Sequence, residues 1–304
     1  MQLFFLATVA LFLALSTVTA QQLPDTTFTW TPDPPAYAPG SGPLILVDAA
    51  HHNFHTADNR FRPFAILAER DGFRVASNDQ PFTAKSLQGV GILVIANAVS
   101  AENERQWTVP SYPAFTTAEI AAVRAWVEQG GALLLIADHM PFGGAAQDLA
   151  AVFGFHFTNG FAYSDPAHPG PDVFRAGEGL VAEHPIATPL HGDIIDSVRT
   201  FTGQAFLADE RATPLLRFPE GSVVLLPDTA WQFNELTTRL DASGWLQGAT
   251  REFGQGRVAV FGEAAMFTSQ LAGPQQFRVG FTSPDAPDNP QFILNVLRWL
   301  AQTH

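Results

Sequence analysis

Three of the nine histidines of the 304-residue chain, His51, His52 and His55, fall within five positions close behind Asp48. Further on, Asp138 and His139 are adjacent, and Glu263 follows an apolar run. Imidazoles and carboxylates are the groups of acid–base catalysis and of zinc-like metal sites, so the histidine segment supports three readings. In the first, a helical segment sets His51 and His55 on one face at i, i+4. Asp48, Asp138, His139 or Glu263 then completes a sphere for zinc or a related divalent metal, with Glu263 or Asp138 as base. In the second there is no metal: one histidine shuttles protons or binds a ligand oxygen, and Asp138 orients its partner. In the third, the histidines cap a loop and bond backbone carbonyls. The candidate catalytic residues are therefore His52, Asp138, His139 and Glu263, and the candidate metal ligands are Asp48, His51 and His55. HxxxH is a weaker signature than HExxH.

Joint action requires elements that bring these groups to one rim. Leu44–Val47, Ile92–Ala96, Ala132–Ala137, Val223–Leu226 and Arg257–Phe261 are short continuous apolar runs, the pattern of strands buried on both faces. Arg60–Arg70 places Phe61, Phe64, Leu67 and Ala68 on one helical face, with Pro63 in the first turn and Asp71-Gly72 at the end. Thr116-Thr117-Ala118-Glu119 is a capping box ahead of Ile120, Val123, Trp126 and Val127. Gly143-Gly144 precede a helix over about 145–153, and Asn289-Pro290 open a last one. This alternation predicts an α/β fold with a mostly parallel sheet and helices on both faces. Ligands in such sheets bind beyond the carboxyl ends of the strands, where Asp48 to Thr56, Asn97, Asp138-His139, Asp228 and Glu263 fall.

Around this frame the signals are weaker. The stretch 156–215, punctuated by Pro166, Pro169, Pro171, Pro185 and Pro189, predicts one irregular insertion over the sheet or its edge. Its His168, His184 and His191 read as surface or turn residues. Gly143-Gly144 serve a tight turn or cradle an anion. Arg60 and Arg62 are solvent-exposed or contact a carboxylate or phosphate. Trp107, Tyr112 and Phe115 line a pocket or pack against the N-terminal arm.

Composition narrows the function. With 16 Lys+Arg against 29 Asp+Glu the net charge is −13, which leaves no basic surface for nucleic acid. The absence of cysteine excludes disulfides, thiolate metal sites and thiol nucleophiles. The only lysine, Lys85, lies outside any phosphate-loop context, and neither GxSxG nor GxGxxG occurs. Met1–Ala20 is an apolar run ending in Val18-Thr19-Ala20, a signal-peptide pattern that predicts export to the periplasm or beyond. No later stretch reaches the ~20 apolar residues of a membrane span. Residues 21–42 are rich in Pro, Thr and Gly and predict an extended arm, draped over the domain by Trp30 and Tyr37.

The segments VDAAHHNFHTADNRFRPFAILAERDGF, GGALLLIADHMPFGG, EHPIA and GRVAVFGEAAMFTSQ carry a resemblance that spans most of 43–304. They resemble an exported bacterial family of unknown function with a class I glutamine-amidotransferase-like domain, related to gliding-motility auxiliary and GIFT-type domains. The resemblance implies a three-layer α/β/α, flavodoxin-like fold. Amidotransferases of that class place a cysteine on a strand-to-helix elbow. Here the matching turn carries Asp138 and His139, so glutamine hydrolysis by that route is excluded. The expectation is a ligand-binding or accessory role in the cell envelope, with a small-molecule or carbohydrate ligand in a His/Asp/Glu pocket. A metal-dependent hydrolase in the same pocket, or a protein-interaction module docking through arm or insertion, are the rivals.

Overall fold

A computed structural model describes residues 22–189 and 193–302. Met1–Ala20, read above as a signal peptide, and His191 lie outside the described residues. The apolar runs become β1 (Leu44–Asp48), β3 (Ile92–Ala96), β4 (Ala132–Ile136) and β6 (Gly256–Phe261), joined by β2 (Arg74–Asn78) and β5 (Leu246–Phe253). Side by side they run β2–β1–β3–β4–β6, all parallel. β5 turns back antiparallel along β6, and Thr213–Arg217 lies antiparallel along β5. The sheet then continues through the short strands Gly179–Leu180, Val173–Ala176 and Ser197–Arg199. The irregular stretch at 156–215 is thus mostly an extension of the sheet edge, where frequent prolines keep each strand short.

Alternate strand residues feed two apolar clusters. Ile45, Val47, Ile92, Val94 and Leu134 pack with Phe64 and Leu67 of α1 (Arg62–Arg70) and with Phe292 and Val296 from the C-terminal helix Asn289–Ala301. Leu46, Leu93, Ile95, Leu133 and Leu135 pack with Val123 and Val127 of α2 (Thr117–Glu128) and Leu149 of α3 (Phe142–Ala151). The capping box is complete: Glu119 N–H donates to Thr116 Oγ1 at 3.3 Å, and Thr116 N–H donates to Glu119 Oε2 at 3.0 Å.

Four points depart from the sequence reading. The sheet is mixed and not mostly parallel, because most pairings beyond β6 are antiparallel. Val223–Leu226 is not in the main sheet; it pairs with Phe161–Tyr163 and Thr238–Asp241 in a separate three-stranded antiparallel sheet. In β5, Gln247, Thr250 and Arg251 break the apolar run although all three are buried, so its sequence hides a strand. α3 starts at Phe142, which places Gly143 and Gly144 inside its first turn. A Cβ on Gly143 would lie 2.1 Å from the Thr158 carbonyl oxygen, and Gly144 N–H already donates to Asn159 Oδ1 at 3.1 Å. These glycines permit close packing, not anion capture.

The arm lies on the domain. Gln22–Pro24 adds a strand to Ser269–Ala272, and Phe28 sits edge-on to Phe281. Arg70 stacks over Phe28 and donates to the Trp30 carbonyl at 2.6 Å, while Tyr37 packs edge-on against Phe73. Among the described residues no helix is long and apolar enough to cross a membrane.

Candidate functional site

Beyond β1 the chain turns without forming a helix, so His51 and His55 share no helical face. The three histidines enter three environments. His51 is buried between Phe82 and Phe115, its Nδ1 2.8 Å from Asp48 Oδ2 and its Nε2 2.8 Å from Glu119 Oε1. Both ring nitrogens are thereby committed. Burial alone would lower its pKa, but the bonds and charges of Asp48 and Glu119 outweigh it and raise the value. Burial likewise opposes ionisation of Glu119, yet hydrogen bonds from Thr116 and His51 bring that carboxyl down to about 2. Glu119 therefore both caps α2 and clasps His51, a second role its capping-box position did not disclose.

His52 has a left-handed backbone (φ 47°) and points outward, 3.3 Å from Glu104. It takes no part in the cavity described below, contrary to its place among the candidate catalytic residues. His55 does line that cavity. Among the described residues no group of three or more His, Asp or Glu side chains is disposed to hold a metal ion. The structure does not bring the expected metal set of Asp48, His51 and His55 together: Asp48 bonds to His51, His51 also bonds to Glu119, and His55 lines the cavity instead.

The cavity, of about 600 Å³, opens at the carboxyl ends of β3, β4 and β6 and brings together His55, Asn97, Asp138, His139 and Glu263. Parallel pairing sets Ile136 level with both Ala96 and Phe261, so residues just beyond these strands converge. Asn97, itself left-handed (φ 51°), is the hub. Its Oδ1 accepts the Asp138 N–H at 2.9 Å, and its Nδ2 donates to His55 Nδ1 at 3.1 Å. His55 Nε2 then carries the proton, facing the Gln270 amide at 3.3 Å. Gln270 Oε1 otherwise has no partner, and with that oxygen turned toward His55 both groups are satisfied. Burial, reinforced by the Arg60 charge, pushes His55 down to about 3, so the ring is neutral.

Asp138 and Glu263 are both buried. Glu263 accepts backbone N–H groups from Ala265 at 2.6 Å and Met266 at 2.7 Å. Burial, with the Asp138 charge added to it, raises the Glu263 carboxyl well above the usual range. Burial also raises Asp138, though the His139 charge and hydrogen bonds temper the effect. Two buried carboxyls that repel each other retain a proton, and Glu263 is the one raised further. His139 donates Nδ1–H to the Met140 carbonyl at 2.7 Å, which leaves Nε2 as the nitrogen available for exchange. Its ring stacks on Phe161 at 4.5 Å and meets the Trp231 edge at 4.8 Å.

The rim is made by two loops. Val109 N–H donates to the Asp228 carbonyl and Ala230 N–H to the Trp107 carbonyl, each at 2.9 Å. This zipper places Trp107 and Trp231 at the mouth, and Phe142 and Phe201 line the walls. Trp231 is 52 % exposed and held at φ 67°, an uncommon backbone state for a bulky residue. Trp107 does line the cavity, as one of its sequence alternatives has it. Phe115 instead packs on His51, and Tyr112 is exposed. Asn97 was visible only as a strand-end residue. Trp231 lies in a segment without periodicity that nothing in the sequence marked, and Gln270 closes the quoted segment GRVAVFGEAAMFTSQ without being singled out in it.

Outside the cavity, His168 is exposed beside Asp165. His184 corrects the surface expectation: it is buried, accepts the Ile186 N–H on Nδ1 at 3.0 Å and lies 2.7 Å from Thr250 Oγ1 through Nε2. Burial lowers its pKa to about 4.

No family model matches the chain, and no curated protein matches it. Solved structures do. The mmIFT52 N-terminal domain is similar at 16 % identity and TM-score 0.57, with 85 % of this chain and 97 % of that one covered. Cytoplasmic Protein STM3548 from Salmonella typhimurium is similar at 13 % identity and TM-score 0.50, covering 86 % and 100 %. A putative ThuA-like protein from Bacteroides uniformis ATCC 8492 aligns at 13 % identity and TM-score 0.47, covering 87 % and 93 %. At such identities the likeness is one of fold: a mixed α/β domain shared with the first two.

Proposed function

We propose that the chain is an exported, thiol-free member of the amidotransferase-like group with a three-layer, flavodoxin-like core, and that its cavity binds a small saccharide of the cell envelope. The strand order β2–β1–β3–β4–β6 and helices packed against both faces support the fold assignment. Export rests on the Met1–Ala20 pattern.

One observation carries the ligand reading: a single cavity combines an aromatic wall with Asp138, His139 and Glu263 at its floor. Indole and phenyl faces suit the C–H faces of a pyranose, and convergent polar groups suit its hydroxyls. Thermal-shift and calorimetric titrations with a panel of monosaccharides and disaccharides test this. A saccharide should raise the melting temperature of the wild type. His139→Ala and Trp231→Ala should fold yet lose the response, and His52→Ala should keep it. A panel without any response, or unchanged binding by the first two variants, overturns the reading.

The proton-retaining carboxyl pair beside His139 Nε2 favours a second reading, an acid–base hydrolase on the same ligand that uses no metal ligand set. Turnover of aryl glycosides that His139→Ala abolishes supports it; no turnover across the panel removes it.

A further inference from the structure

Arg60 enters the same cavity from the turn ahead of α1, and it is the only Lys or Arg among the described residues lining it. No carboxylate of the described residues pairs with its guanidinium. Its Cζ lies over Phe54, 3.8 Å from the ring centroid, and Nη1 reaches only the Phe54 carbonyl at 3.4 Å. Its Nε is buried with no hydrogen-bond partner. Taking a cation out of water without a counter-charge is costly, by several kcal/mol per ion. The Nη2 end of the guanidinium also has no hydrogen-bond partner and, unlike Nε, is not sealed from solvent.

That end has a chemical preference. Its N–H groups carry delocalised positive charge and make strong charge-assisted hydrogen bonds to carboxylate oxygen. Charge narrows the choice further. Arg60 offers one positive charge, and the Asp138–Glu263 pair already holds negative charge nearby. A singly charged carboxylate is matched by Arg60, whereas a phosphate dianion would leave excess negative charge in a water-poor cavity.

Building on the saccharide reading, we propose that the ligand is an acidic sugar, a uronic acid, whose carboxylate seats on the Nη2 end of Arg60 while its ring faces the aromatic wall. Calorimetry on the full chain with D-glucuronate, D-galacturonate, their methyl esters, D-glucose and D-galactose tests it. A uronate should bind the wild type at least tenfold more tightly than the parent sugar, and its methyl ester should bind like the parent sugar. Arg60→Gln should erase that preference with neutral-sugar affinity unchanged, and Arg60→Lys, which keeps the charge but not the fork, should retain only part of it. Should Arg60→Gln fail to fold, the acid–ester comparison on the wild type decides alone. Equal affinity for acid, ester and parent sugar overturns the carboxylate assignment and leaves the saccharide reading standing. Tighter binding of a sugar phosphate than of the uronate also overturns it. Absence of binding by all of these sugars removes both.

Discussion

Asn97 and His55 meet at 3.1 Å, side-chain amide to ring Nδ1, although 42 residues separate them. Because the same amide accepts the Asp138 N–H through its oxygen, one side chain fixes the His55 tautomer and the turn after β4 together. In Asn97→Asp the acceptor is kept, but His55 Nδ1 now faces a carboxylate oxygen, which favours protonation of the ring. The His55 ring resonances should show no titration in the wild type until about pH 3, and should titrate at clearly higher pH in Asn97→Asp. Identical NMR titration curves for the two proteins would remove Asn97 from its role as hub.

His55 and His184 are both held neutral, at about 3 and about 4, against 6.5 in the unfolded chain. As pH falls below 6.5 the unfolded state takes up protons on these rings and the folded state does not. Each group therefore withdraws stability at about 1.4 kcal/mol per pH unit in that range. His184→Gln should differ from the wild type by a stability gap that narrows by about this amount between pH 6.5 and pH 5, measured by urea denaturation. A gap independent of pH would contradict the burial argument.

His51 works in the opposite direction. Its folded-state pKa is raised, so its stabilisation is complete below 6.5 and is lost as pH rises through the folded value. His51→Gln leaves Asp48 and Glu119 buried without their cation, a loss of about 3–5 kcal/mol at pH 6. The deficit should shrink as the solution is made alkaline. Thermal melts at several pH values above 6 read both effects, and a deficit that grows with pH would refute the clasp.

For Asp138 and Glu263 the raised pKa values mean that stability is greatest at low pH and declines as the pair is forced to lose its proton. Asp138→Asn removes the repulsion. Whatever its constant offset from lost hydrogen bonds, the melting temperature of the variant minus that of the wild type should increase from pH 5 to pH 9. A flat difference would mean that the two carboxyls do not compete for a proton.

Much of this architecture is legible in the sequence because the relevant signals are local. A strand covered on both faces must be continuously apolar, and Leu44–Val47 and Ile92–Ala96 are. Thr116 and Glu119 mark the start of α2 for the same reason, since their reciprocal bonds span only three residues. The strand ends bearing Asp138, His139 and Glu263 could be placed because parallel register levels them. What escaped was direction. His51, His52 and His55 are crowded in sequence, but an aperiodic loop carries no rule for where each side chain points. β5 was hidden because its buried Thr250 and Arg251 find polar partners in His184, Asp209 and the Phe153 carbonyl, contacts made far along the chain.

Gln22 stands in the wall of the cavity, and the strand it begins is paired with Ser269–Ala272. One side of the chamber is thus built from two stretches far apart in sequence, and Gln22 leaves the ribosome long before its partner strand is made. A polypeptide that lacks Ser269–Ala272 cannot close the chamber on this side. Trimming a few residues past Gln22 should breach the wall without touching any ionisable group on its floor.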